Sequence, residues 1–521
     1  MKAKTWKKWL GVTLVAMMVV LAGCQSIGGV NIVKVVENSL NVKSSESSQS
    51  LSVELIPRKD GAVAEEDQKI IDLVNGFKLD IDHAVAQDPS HMSLAGKITY
   101  GGKAVPFKLG MEDTNVTVWI EGIKKPVVVS LAGGELEGEL VAEIEKSQDV
   151  FRGAVQKLGA YLVKQAPVPN TVSVSSVTYT VYGESLNLQK LHIEINGDEV
   201  IGLVKTLLTN MAKDDAGLRE ITGALYDAFY PIVESQLGMF PEDGEEGSFL
   251  SSIAKDKEVG SLVLYKFVKN GLDEILKDFD AQAEELMKQD EVKQVLSKES
   301  GLKLDLYVDS ENQVRKQNLE LTVALPDIED IPVQKVIVRA AAESWNINKV
   351  VKLDAIDTTN GVEKVDGYGL SGKGFLANFD KNSTAFGILK NDLGLGDTDF
   401  SVFEEDSYGS DDYYPGWWTL DGVGMVPLSV IADGFEAEVK WDAATKQIVV
   451  YDALNDITVE LKIGSTTAYV NGEAKTMAQP VLVDDYDAAN VPLRFIVEAL
   501  GGKLQWENEY EDYYYFYVTS K

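Results

Sequence analysis

The sequence predicts an α+β protein with two parts: a large curved antiparallel sheet with helices over one face, and a small C-terminal α+β domain. Three observations support this prediction. Short runs of alternating apolar and polar residues, separated by turn residues, occur over 78–131 and return over 302–355, as is typical of antiparallel strands. Between them, apolar residues recur with helical spacing over 135–165 and 199–296. Near the C-terminus one supersecondary unit occurs twice.

The chain begins with a leader that ends at its single cysteine. Four lysines precede an apolar run over residues 9–20, and a basic start before a short apolar core is the pattern of a cleaved signal peptide. The run is shorter than the ~20 residues that a spanning helix needs. We therefore interpret residues 1–23 as a signal peptide.

The words Leu-Ala-Gly-Cys, ending at Cys24, resemble the lipobox of bacterial lipoproteins. This resemblance implies a diacylglyceryl group on Cys24 and cleavage just before it, and two acyl chains suffice for stable anchoring. The alternative is an ordinary signal peptide that ends at a cysteine by chance. We expect the protein to lie outside the cytoplasm, held by lipid at Cys24 on the outer face of the cytoplasmic membrane.

Composition limits the remaining possibilities. At roughly 100–200 residues per domain, 521 residues allow two to four domains, and 45% hydrophobic content suffices for folded cores. A single cysteine excludes an intramolecular disulfide. The formal net charge of −33 makes nucleic acid and bare anionic lipid poor partners. Solubility is the plainest reason for this charge, and a cation site is the alternative.

Residues 24–49 are predicted to be a flexible, lipidated tether, because serines interrupt a weakly apolar stretch. Regular patterns then begin with a strand at 51–56 and a short helix at 65–77. Closely spaced strands follow, and such a series forms an antiparallel meander with one face to cover. These strands are predicted at 78–85, 92–100, 104–111, 116–121 and 126–131.

A helical stripe over 135–165 ends before Pro167, and two strands follow it. An acidic, amphipathic helical block then spans 199–296, with a break near 238–247. Strands resume after the block. The strands on its two sides are predicted at 172–182, 186–195, 302–308, 314–324, 333–340 and 347–355.

A curved antiparallel sheet with helices over its concave face accommodates this order of elements. The order, the length and the lipobox resemble the LolA/LppX-type lipoproteins over about residues 45–350, and we assign 50–356 to one LolA-like domain. The resemblance implies an open half-barrel that holds a lipid or another apolar ligand beneath helices. The alternative is a domain whose apolar helix faces only fill its own core.

Residues 357–416 are predicted to be a linker with a short helix and an acidic run at 397–412. Acidic oxygens at this density are ligands that Ca²⁺ prefers. The run lacks the spacing of an EF-hand loop, however, and charged runs are usually solvated. The sequence leaves a calcium site there undecided.

The C-terminal repeat is the strongest internal signal. Val426-Pro427-Leu428 recurs 65 residues later as Val491-Pro492-Leu493. Each copy predicts a strand, a short helix that begins at proline, at 428–434 or 493–500, and two further strands joined by a tight turn at 442–445 or 507–510. Residues 417–521 closely resemble the copper amine oxidase N-terminal domain, which is common on surface proteins of Gram-positive bacteria. Only the second copy has Arg494 and Glu498, spaced i,i+4 for a structural ion pair.

The resemblance to this domain does not imply copper chemistry. Copper oxidation requires histidine ligands and a separate catalytic domain, whereas His83, His91 and His192 lie outside the repeat and form no close ligand pair. We interpret them as surface residues or satisfied core residues. Phosphate loops, nucleophile elbows, HExxH and Ser/His/Asp signatures are absent from the sequence. We expect no enzyme activity, no cofactor and no metal.

The last predicted strand, 510–518, carries five consecutive aromatic residues. Alternation sends the odd-numbered ones to one face and the even-numbered ones to the other, and one face must be core. The other face is a weak candidate for stacking on a sugar or peptide of the cell wall, although aromatic residues are also ordinary strand formers. The candidate ligand-binding residues are Trp417, Trp418, Tyr513, Tyr514, Tyr515, Phe516 and Tyr517.

Two functions are consistent with these features. The first is a non-enzymatic, membrane-anchored binding module at the cell envelope, whose C-terminal domain binds a wall polymer. The second is a carrier or sensor of a lipid or other apolar ligand in the LolA-like half. An exposed aromatic strip at 510–517 would favour the first, and an apolar cavity beneath the helices of 199–296 would favour the second.

Overall fold

The computed structural model describes residues 26–59, 63–130, 135–235, 256–327, 331–365, 371–404, 416–484, 486–510 and 513–520. Cys24, the signal peptide and the second half of the acidic run, 405–412, lie outside these ranges. The chain divides into two compact units. The first comprises Met1–Trp119 and Val127–Asp357, and the second comprises Ile120–Pro126 and Thr358–Lys521.

The first unit is built on one large antiparallel sheet. Its strands follow the order β8-β7-β6-β5-β4-β3-β13-β12-β11-β10-β9, so two meanders meet where β3 pairs with β13. A separate ribbon of β1 (Ser26–Ile27) and β2 (Val30–Asn31) precedes them. The strands of the large sheet are β3 (Ser45–Pro57), β4 (Lys78–Asp88), β5 (His91–Tyr100), β6 (Lys103–Glu112), β7 (Asn115–Ile120), β8 (Val127–Ser130), β9 (Thr171–Val181), β10 (Glu184–Asn196), β11 (Gly301–Val308), β12 (Val314–Ala324) and β13 (Val333–Trp345).

Helices cover one face of the β9–β12 half of this sheet. Leu191, Ile193 and Ile195 project from that face of β10 into a core shared with the helices. A capping box between Asn196 and Glu199 ends β10 and begins the helical block. The helices are α1 (Ile32–Leu40), α2 (Glu65–Asn75), α3 (Glu135–Gln165), α4 (Val200–Lys213), α5 (Asp215–Ser235), α6 (Lys257–Leu286) and α7 (Asp290–Val295). In the part of the chain that the structure describes, no helix is long and apolar enough to cross a bilayer.

The predicted α+β class is confirmed, but the predicted tether is wrong from residue 26 onward. Ile32 and Val35 of α1 are buried in the core of the first unit. The serine-rich segment 45–50 is the first half of β3, which pairs with β13 on one side and β4 on the other. Ser50 and Ser52 alternate with Leu51 and Val53 in this strand. The hydrogen-bonded ladders on both sides hold the segment in place, and composition does not predict them.

The predicted strand at 347–355 is also absent from the described structure. These residues extend across the sheet and are held by side chains instead of a ladder. Ser93 Oγ accepts the backbone N–H of Asp354 at 2.9 Å, and Gln87 Nε2 donates to the carbonyl of Val351 at 2.8 Å. Of its two adjacent valines, Val351 is buried and Val350 is fully exposed.

The second unit contains both copies of the repeat, in three small sheets ordered β15-β26-β25, β16-β17-β24-β23 and β18-β19-β20-β21-β22. Val426 lies directly opposite its own equivalent, Val491, where β17 pairs antiparallel with β24, so a local two-fold axis relates the copies there. The strands are β14 (Glu363–Val365), β15 (Thr398–Phe403), β16 (Trp418–Leu420), β17 (Val423–Pro427), β18 (Glu438–Asp442), β19 (Gln447–Asp452), β20 (Ile457–Lys462), β21 (Thr467–Val470), β22 (Glu473–Thr476), β23 (Leu482–Val483), β24 (Ala489–Pro492), β25 (Lys503–Tyr510) and β26 (Tyr513–Ser520). The helices are α8 (Gly372–Ala377), α9 (Thr384–Gly387), a π-helical turn (Ile388–Asp392), α10 (Leu428–Gly434) and α11 (Leu493–Ala499).

The described part of the predicted linker 357–416 is largely an integral part of this unit. β15 pairs along β26, and Val402 is buried in the C-terminal core. Lys373 is also buried, and its Nζ donates to the carbonyl of Phe435 at 2.8 Å. Burial lowers the pKa of Lys373, and the Asp452 carboxylate 3.6 Å away opposes that shift. The linker prediction is therefore wrong for β15. The glycine-rich stretches around this strand do not predict it, but its Val402 is part of the C-terminal core.

We expect Val402→Asp to destabilise the second unit by roughly 3–5 kcal/mol, because it places an unpaired carboxylate in a closed apolar core. Ser401→Asp, one residue earlier and on the opposite face of β15, is the matched control. Denaturant unfolding monitored by tryptophan fluorescence measures both. Equal unfolding midpoints for the two variants would show that β15 is a linker after all.

Candidate functional site

An unbroken apolar row crosses the sheet of the first unit. In the ladder registers, each of its six residues is paired with the next across six adjacent strands, so all six share one face. Since Leu319 packs against the helix-covered core, this is the face that carries the helices. The row consists of Leu319, Ala340, Leu51, Leu79, Ile98 and Val105.

The two halves of this face differ in burial. On β10 and β11, Leu191, Ile195 and Leu302 are completely buried. In the apolar row, by contrast, Leu51 is 37% exposed and Leu79 and Ile98 are only half-buried. The same sheet face is therefore sealed at one end and open in the middle, which leaves apolar surface available to a ligand.

The dimensions of the open row suit a hydrocarbon chain. The six strands span about 24 Å at a spacing of roughly 4.8 Å. Because Leu319 and Val105 at the two ends are covered, the open stretch from Ala340 to Ile98 spans about 14 Å. A bilayer core is about 30 Å thick and contains two leaflets, so one extended acyl chain of a membrane lipid fits along the row. Neighbouring rows add half-buried Val53, Ile81 and Leu94 on the same face.

The opposite face of the same strands is polar. Ser50 and Ser52 of β3 lie there, beside Arg339 of β13. Arg339 donates to Glu320 at 2.9 Å and to Glu54 at 2.6 Å, and these hydrogen bonds raise the pKa of its guanidinium and lower that of Glu320. These central strands are thus amphipathic. Their apolar side chains point toward the helices, and their ion-paired polar side chains point away from them.

Each histidine interacts with an aspartate. The Nδ1 atoms of His83 and His192 lie 2.7 Å from carboxylate oxygens of Asp354 and Asp305, respectively. His91 is partly exposed and contacts Asp88 at 2.9 Å. His91 and His192 agree with their interpretation as surface or satisfied residues, whereas the Nε2 atom of His83 is buried without a hydrogen-bond partner among the described residues. Within the described ranges, no group of three or more His, Cys, Asp or Glu side chains is arranged to hold a metal ion.

The structure corrects the aromatic candidates of the C-terminal domain. Trp417 is buried and packs edge-to-face against Trp506 and Phe516, with ring centroids 5.6 and 5.1 Å apart. Trp417 and Phe516 therefore belong to the core rather than to a ligand platform. Trp418 is half-buried and donates from Nε1 to Asn490 at 2.9 Å.

The described tyrosines on the other face of β26 are also partly buried. Tyr517 donates its hydroxyl to Asp399 at 2.8 Å, and Tyr515 packs beside Phe403 with ring centroids 5.4 Å apart. The side chains of Tyr513 and Tyr514 lie outside the described residues. The predicted turn at 507–510 is wrong, because β25 continues to Tyr510.

Sequence reasoning missed two exposed tryptophans at equivalent repeat positions. Trp441 is 52% exposed and Trp506 is 49% exposed. Each lies on a strand at the edge of its sheet. The 65-residue offset of the repeat places the two tryptophans at equivalent positions. This offset was the available sequence signal, but it does not predict that their side chains are exposed. The predicted pair of Arg494 and Glu498 is present on the surface, at 3.6 Å.

Comparison with known proteins supports the predicted resemblance of the C-terminal domain. The model of the family described as the copper amine oxidase N-terminal domain matches residues 418–515. No curated protein matches the chain. Among solved structures, the lipoprotein LppX of Mycobacterium tuberculosis matches with a TM-score of 0.22 and 11% identity, over 62% of this chain and 96% of that chain.

The Asp88–His91 contact gives a pH-dependent prediction. The hydrogen bond from His91 is the largest cause that lowers the pKa of Asp88 to about 2, and the same bond raises the pKa of His91. We expect Asp88→Asn to lower the pKa of His91 toward about 6.5. An NMR titration of the imidazole protons measures it, with His192 as internal reference, and an unchanged His91 pKa would contradict the assignment.

The two altered pKa values determine how the stability of the fold depends on pH. The raised pKa of His91 stabilises the fold fully below the unfolded-state value, and this contribution is lost as pH rises through the folded-state value. The lowered pKa of Asp88 stabilises the fold above its unfolded-state value, and this contribution is lost as pH falls toward about 2. The contact is therefore most favourable between roughly pH 4 and pH 6.5.

Proposed function

We propose that the first unit binds a lipid acyl chain, or a similar apolar ligand, along the open apolar row of its sheet. The observation that supports this is the contrast along one sheet face: Leu191 and Leu302 are sealed, whereas Leu51 is 37% exposed. Burying such a row under an acyl chain removes apolar surface from water at about 25 cal/mol per Å². Few polar groups in the row would have to lose water.

The protein is proposed to act outside the cytoplasmic membrane as a lipoprotein anchored through Cys24. The leader pattern and the lipobox support this, and a lipid-anchored position brings the apolar row close to a source of acyl chains. No step in this function needs catalysis. We therefore propose a carrier or sensor rather than an enzyme.

A second binding activity is proposed for the C-terminal domain. Trp441 and Trp506 are half exposed at equivalent positions, on two edge strands. Planar apolar faces of this kind stack on sugar rings or peptides. They replace Trp417 and Phe516 as the candidates for contact with a wall polymer.

Leu51→Glu is expected to reduce bound lipid several-fold, because a carboxylate in the middle of the row must lose water when an acyl chain covers it. Native mass spectrometry of the chain from residue 25, purified from a bacterial host, measures the lipid-sized adduct. Ser52→Glu adds the same charge one residue away on the opposite face and is expected to keep the adduct. The proposal fails if the unsubstituted chain carries no adduct, or if both variants carry it equally.

Cys24→Ala is expected to move the protein out of the lipid-anchored fraction, because the sulfur is the proposed attachment atom. Detergent-phase partitioning of cells grown with labelled palmitate measures both acylation and location. Loss of label together with loss of membrane association is the expected result. A variant that stays membrane-bound and labelled would contradict anchoring at Cys24.

A further inference from the structure

A cavity lies in the helical layer of the first unit, between α1, α3 and α5. Its volume is about 520 Å³, within the range of small-molecule sites. Val33, Ala160 and Ile221 form apolar parts of its wall. Charged side chains from all three helices complete the lining: Glu37, Lys157, Lys164 and Glu220.

Tyr161 lines this cavity, and its buried hydroxyl lacks a hydrogen-bond partner among the described residues. The residue is 7% exposed, and its buried Oη has no hydrogen bond to any described residue. Gly217 allows the ring to take this position, since a Cβ there would lie 2.8 Å from the ring. Burial raises the pKa of Tyr161 to about 12, so the hydroxyl keeps its proton and remains a donor. Buried donors are normally paired.

The charged groups of the rim do not neutralise one another. Lys157, Glu37 and Glu220 form no ion pair with any other residue in the described ranges, whereas Lys164 lies 3.9 Å from Asp214. The amides differ in this respect, because Gln156 donates to Asn41 Oδ1 at 2.8 Å. Lys157, Glu37 and Glu220 therefore leave one ammonium group and two carboxylates available to a ligand.

We propose that this cavity binds a small zwitterion, a molecule with a primary ammonium and an oxyanion on a short body. Its ammonium pairs with Glu37 and Glu220, and its oxyanion accepts hydrogen bonds from Lys157 and the Tyr161 hydroxyl. A purely anionic ligand would leave Glu37 and Glu220 unmatched, and a purely cationic ligand would leave Lys157 unmatched. Free amino acids or short peptides and the headgroup of an aminophospholipid share this chemistry.

Isothermal titration calorimetry on the complete chain in detergent tests the ligand class. The probes are alanyl-alanine and phosphoethanolamine, and the one that binds identifies the source. N-acetyl-alanyl-alanine, which lacks the ammonium, and ethylamine, which lacks the oxyanion, are expected to bind at least about tenfold more weakly. The proposal is overturned if neither zwitterion binds, or if a single-charge analogue binds equally well.

Two variants locate the binding. Tyr161→Phe is expected to weaken binding about tenfold while the melting temperature stays the same or rises, because it removes an unpartnered buried hydroxyl. Gly153→Leu is expected to abolish binding, because Gly153 lines the cavity and a Cβ there meets no atom within 4 Å. Gly271→Leu in α6, which is equally unobstructed, is the control. Undiminished binding by both cavity variants would refute the site, independently of the acyl-chain proposal.

Discussion

The pairing of β3 with β13 is the interaction on which the first unit depends. It joins residues 45–57 to residues 333–345, so the whole helical block must fold between the two partners. The pairing also fixes the apolar row, because Leu51 lies opposite Ala340. A slip of one residue would turn the serines of β3 toward the helices and Leu51 and Val53 to the polar face.

Strong local periodicity made much of this fold predictable. The helix over 135–165 and the strand over 314–324 have the predicted bounds, as does the helix at Leu428–Gly434. The errors arise where tertiary contacts override composition. β3 is rich in serine, and only its two neighbouring strands make it a central strand. β15 is short and follows a glycine-rich stretch. It is recognised as a strand only from its packing in the C-terminal core.

The candidate sites were less predictable than the fold. Alternation shows that Leu51 and Leu79 share a face, but not that the face is open, because exposure depends on which helices cover it. Likewise, Trp417 and Trp506 look equivalent as residue types, yet one is buried and the other is half exposed. The Tyr161 cavity depends on three helices from distant parts of the chain, and no local pattern marks it.

The central claim is that the open face of the sheet, rather than the C-terminal domain, holds an apolar ligand. Photo-crosslinking of a diazirine-labelled fatty acid to the complete chain, followed by peptide mapping, tests this most directly. We expect labels on β3, β4 and β5, at the positions that share a face with Leu51. Labels confined to the second unit, or spread evenly over both faces of β3, would contradict it.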